Sequence, residues 1–80
     1  MTSQALHELD LAALRQDLPA HGLIAGDVGT VVFVHEGGAA YEVEFMTADG
    51  RTLAVETLLA EQIEPVAGTL ILHARRHATV

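Results

Sequence analysis

The sequence has no cysteine, which excludes both a disulfide framework and a thiolate metal centre. Lysine is missing too, and from Asp10 to Val66 the only cationic side chains besides histidine are Arg15 and Arg51. Ten carboxylates (Asp10, Asp17, Asp27, Glu36, Glu42, Glu44, Asp49, Glu56, Glu61 and Glu64) against those two arginines leave the segment at −8, in a chain of net charge −7. Phosphate recognition draws on clustered Lys and Arg, so nucleic acid and anionic membrane are disfavoured as partners. A basic protein surface is electrostatically compatible, and an acidic surface that only keeps the chain in solution is the plainer reading. No apolar stretch approaches the roughly 18 residues of a membrane span. The opening MTSQALHELD lacks the basic start and apolar core of a secretory signal, so the expected location is the cytoplasm.

What is present is half apolar and only 80 residues long, enough for one domain. A chain of this size buries roughly 60% of its unfolded surface, so the core must be small. Five of its seven glycines crowd into HGLIAGDVGTVVFVHEGG, residues 21–38. Within it VGTVVFV (28–34) is β-branched and aromatic, a strand signal. EGG (36–38) reads as a turn. AAYEVEF then alternates, placing Tyr41, Val43 and Phe45 on one face and Glu42 and Glu44 on the other. ADG (48–50) predicts a hairpin turn, with Asp49 and Gly50 suited to positive φ. RTLAVETL (51–58) predicts a return strand, with Leu53 and Val55 inward and Glu56 outward. A helical or 3₁₀ turn is expected over 59–63, stopped by Pro65, with Val66 beginning the next extended piece.

Two hairpins, a turn and a further strand describe a small bent antiparallel sheet, which hides its edges best by closing into a barrel. Gly22, Gly26 and Gly29 fall where the chain must bend, and Gly37 and Gly38 at the hairpin tip. Val32, Val34, Tyr41, Val43, Phe45, Leu53, Val55 and Ile63 are the expected core, with Leu18, Leu23 and Val28 closing one end. The N-terminal ALHELDLAALRQDL is ambiguous. Its propensity, a Ser3 cap and a face made by Leu6, Leu9 and Ala13 slightly favour helix, whereas DLAALRQDLP also reads as a first strand.

Asp17-Leu18-Pro19, Gly22-Leu23, Gly26-Asp27-Val28-Gly29-Thr30-Val31-Val32, Tyr41 to Phe45, Asp49-Gly50 and Gln62-Ile63-Glu64-Pro65 together resemble a small bacterial family, domain of unknown function 4926. The resemblance covers roughly residues 9–66. It implies an all-β SH3-like barrel whose first strand is residues 10–15, with a short 3₁₀ turn before the last strand. The organisation expected is an N-terminal arm (1–8), a barrel (9–66) and a C-terminal extension (67–80). The resemblance carries no catalytic motif. It implies a small partner of larger proteins, with a link to toxin–antitoxin or polymorphic-toxin systems. Phe33 departs from it as an outward apolar residue where the family tolerates a polar one.

The candidate sites are few. Gly22 to Gly29 lacks the Lys-Ser/Thr of a phosphate loop, so it reads as backbone bending. It also resembles the glycine-bearing loop of transcription-factor SH3-like barrels, which makes a nucleic-acid-binding barrel the alternative function. Asp27 is expected to accept N–H bonds within its turn. Glu42, Glu44 and Glu56 predict an outward acidic stripe which, with Phe33, is the expected partner-binding surface. His73 and His77 have a metal-ligand spacing but no carboxylate near them, and His21 and His35 have no nucleophile to form a triad. No catalytic residue, cofactor or metal is expected. The apolar run Thr69–Leu72 predicts an extended segment over 69–73, pairing with a sheet edge of the same barrel or of a second copy, and so a possible homodimer. Arg75, Arg76 and His77 would then lie near the acidic barrel.

Overall fold

The computed structural model describes residues 6–66. Five strands, β1 (Leu11–Leu14), β2 (Val28–His35), β3 (Ala40–Met46), β4 (Thr52–Leu59) and β5 (Ile63–Pro65), form one antiparallel sheet in the order β4-β3-β2-β1-β5. Two 3₁₀ turns interrupt them, η1 (Pro19–His21) and η2 (Ala60–Gln62). The all-β prediction and the turn before the last strand are met. No described helix is long and apolar enough to cross a membrane. The segment 69–73, His73, His77 and the two tail arginines lie outside the described residues.

The sheet is curled. β4 and β5 lie at its opposite edges, four inter-strand spacings or about 19 Å apart if the sheet were flat. Leu59 and Ile63, however, are joined by η2 alone, and four extended residues span at most about 14 Å. Bulges between Val31 and Phe33 and between Phe45 and Met46 supply part of the bend. Gly29 supplies a close approach: a Cβ there would stand 2.7 Å from the Glu44 carbonyl oxygen and from Val43 Cγ1. Gly26 supplies the other backbone need, with φ of +95° entering β2.

The inner face holds Ala12, Leu14, Leu23, Val31, Tyr41, Val43, Phe45, Leu58 and Ile63, with Leu6 laid over them and Leu18 and Val34 packed against the cluster. Leu6 donates its backbone N–H to the Tyr41 hydroxyl. Arg15 fastens β5 to β1, its N–H bonding the Gln62 carbonyl and its Nε the Ile63 carbonyl at 3.1 Å.

Several expectations need correction. Of the two readings of the N-terminal segment, the first strand implied by the resemblance holds among the described residues: β1 is held between β2 and β5, and Leu9 takes a positive φ of 76° with its side chain in solvent. Ladder pairing on both sides overrides local propensity there. Val32 is exposed because it is the extra residue of the β2 bulge, so that Val31 faces inward in its place. β4 has the opposite register to that expected. Phe45 pairs with Ala54, whose small side chain admits the ring, and Tyr41 pairs with Leu58. Leu53 sits at the second bulge and Val55 points out, both exposed. The last strand starts at Ile63, before Val66.

Candidate interaction face

The outer face of β2, β3 and β4 is ordered by cross-strand rows. His35, Ala40 and Leu59 form one row, Phe33, Glu42 and Thr57 the next, and Thr30, Glu44 and Val55 the third. Phe33, Val55 and Leu59 are each 49% exposed, so three large apolar side chains stand half in water around two carboxylates.

Glu42 is the centre of this face. Its Oε2 accepts from His35 Nε2 at 2.7 Å and from Thr57 Oγ1 at 2.7 Å. Above all the histidine bond, then that of the threonine, holds its carboxyl below the usual glutamate range. Glu44 accepts from Thr52 Oγ1. The Phe33 ring meets the His35 ring edge-on, centroids 4.8 Å apart. His35 therefore links the aromatic side chain to the carboxylate on this face.

Glu56 does not belong to this stripe. It pairs with Val43 on the inner side of β4, where its Oε2 meets His21 Nε2 at 2.5 Å. The reversed β4 register carries it there, and η1 folds over to meet it. The expected three-carboxylate stripe is thus a pair, Glu42 and Glu44, with Phe33 beside them.

The glycine-rich loop carries out backbone work. Asp27 is buried and its Oδ2 accepts the Ile24 N–H at 3.0 Å, as its turn role requires. Asp17 Oδ1 accepts the Ala25 N–H, Gly26 N–H bonds the Leu14 carbonyl, and Leu14 N–H bonds the Asp27 carbonyl. Gly22 takes φ of +70° to end η1. At the β3–β4 hairpin Asp49 accepts from the Thr47 hydroxyl, and Gly50 has φ of +90°.

Two side-chain contacts, His35 with Glu42 and His21 with Glu56, escaped the sequence reading. His35 was findable: it alternates with Phe33, and closing the 36–39 turn brings it diagonally to Glu42. His21 was not, because nothing local links it to Glu56 across 35 residues of chain. Among the described residues no three His, Asp or Glu side chains converge as a metal site.

Residues 8–65 match the sequence profile of a family described as a domain of unknown function, DUF4926. No curated protein and no solved structure matches the chain.

Proposed function

The chain belongs to the DUF4926 family, and from that premise we propose that it is a non-catalytic cytoplasmic SH3-like barrel whose acidic outer face binds a basic protein, in the manner of an antitoxin or immunity partner. The observation that carries this reading is Phe33, half exposed and fixed beside Glu42, with Glu44 two residues along the same strand. An aromatic anchor next to pre-positioned carboxylates is the make-up of an interface centre. Glu42, bonded by His35 and Thr57, keeps its negative charge to lower pH than an ordinary glutamate.

The charge of the described residues points the same way. Residues 6–66 hold eleven carboxylates and two arginines, a net of −9, which steers a cationic partner inward and repels phosphate backbones and anionic lipid. Barrel closure is supported by the curl that η2 imposes on the two edge strands. The alternative, a nucleic-acid-binding barrel, has no lysine behind it, and residues 6–66 hold only two arginines.

The test is isolation of the partner with the full chain, followed by titration of the purified pair. A basic partner should bind with an affinity that falls as salt rises. Phe33→Ser and Glu42→Gln should each weaken it at least about tenfold. Strong, salt-sensitive binding of RNA or DNA at low ionic strength, or a partner indifferent to both substitutions, would overturn the reading.

A further inference from the structure

β4 is an eight-residue strand at the margin of the sheet, and among the described residues no strand pairs with its outer edge. Exposed edges are normally blocked by lysine, proline or a charge pointing along the free side. TLAVETLL contains neither lysine nor proline. Its one charge, Glu56, turns to the inner face and is engaged by His21. The bulge at Leu53 protects only the beginning of the strand. Along the rest, Val55 and Leu59 present half-exposed apolar side chains beside an edge that no described strand pairs with.

The sequence also contains a fitting occupant. Fourteen residues follow Val66, and among them Thr69–Leu72 is uncharged and strand-prone, with Arg75 and Arg76 shortly after. Laid beside β4, alternate side chains of that run would extend the rows that end in Val55 and Leu59. The two arginines would then face a surface of net charge −9. We propose that residues 69–73 of one copy add as a strand to the free edge of β4 in a second copy, reciprocally, to make a twofold dimer.

Direction favours exchange between copies. Following the antiparallel pairings across the sheet, β4 and β5 run in the same sense, and β5 begins where β4 stops. Up to Val66, β5 therefore carries the chain onward from the end of its own β4. A reversal at Ala67–Gly68 would lay the segment beside β5 instead. A twofold-related copy imposes no such reversal, and two equal strand additions close the assembly.

The experiment uses the full chain, in light scattering over a range of concentrations with amide hydrogen exchange alongside. The native chain should have twice the 8.5 kDa chain mass, with alternate β4 amides protected. Ile71→Pro removes a strand donor outside the described sheet. It should give the single-chain mass and lower that protection at least tenfold. Val55→Lys, a blocking lysine at an exposed position, should raise the dissociation constant at least tenfold while leaving the core amides protected. A native chain that is monomeric throughout, a dimer indifferent to Ile71→Pro, or β4 protection that persists at monomer concentrations would each overturn the proposal. The last result would assign the strand to its own chain.

Discussion

The two faces of the β2–β3–β4 meander use similar side chains to different ends. On the inner face Val31, Val43, Phe45 and Leu58 are almost wholly removed from water, and Gly29 lets the backbone of β2 press against β3. On the outer face Phe33, Val55 and Leu59 remain half exposed, interleaved with Glu42 and Glu44, whose carboxylates accept threonine hydroxyls. Apolar character alone does not decide which face a residue joins. Two bulges and the neighbour across the strand decide it, so Ala54 is inside while Val55 is outside.

That contrast can be broken most severely from within. Phe45→Ala removes the ring that fills the space over Gly29 and Ala54, and should cost about 3–5 kcal/mol. For a domain this small that is much of the stability, and urea unfolding would register it. Gly29→Ala introduces a Cβ 2.7 Å from a backbone oxygen that cannot swing aside. About 1–3 kcal/mol of overpacking should follow in the same assay, with the β2 and β3 amides the most affected.

The outer face should respond far less. Glu42→Gln tests it through pH. The folded carboxyl titrates below its ordinary value of 4.5, so its contribution is present above that value and is lost as the pH falls through the lowered one. The variant should be weaker than the native chain near pH 7, and the gap should close in acid. An equal gap at both pH values would sever Glu42 from His35 and Thr57. Val55→Thr should change stability by no more than about 0.5 kcal/mol, and a larger loss in the monomer would mean that Val55 has a neighbour not yet accounted for.

Much of this arrangement was legible in the chain. Alternation in AYEVEF set Tyr41, Val43 and Phe45 inward, and the outward Phe33 stood out as an apolar residue on a wet face. Glycines marked the bends at Gly22, Gly26, Gly37–Gly38 and Gly50, while the turns at Leu9 and η2 contain none. What failed was parity after an irregularity. A bulge leaves no local mark, and a single unpaired residue exchanges the two faces of everything beyond it. Val32, Leu53, Val55 and Glu56 were all misplaced for that one reason. β1 was obscured for a different one: LAAL has little strand propensity of its own, and only pairing on both sides makes it a strand.

The double pairing of β1 also has a consequence in time. Its contact with β5 joins residues 49 to 53 apart, from Leu14 with Ile63 to Ala12 with Pro65, whereas β2, β3 and β4 are linked by short turns. Closing so long a loop costs chain entropy before any contact offsets it. Folding should therefore nucleate in the two hairpins and recruit the first and last strands together, as the final step. Substitutions in Val43 or Leu58 would slow folding, while those in Leu14 or Ile63 would chiefly hasten unfolding. On the ribosome, β1 must wait, without a second partner, until nearly the whole of the described sheet has emerged.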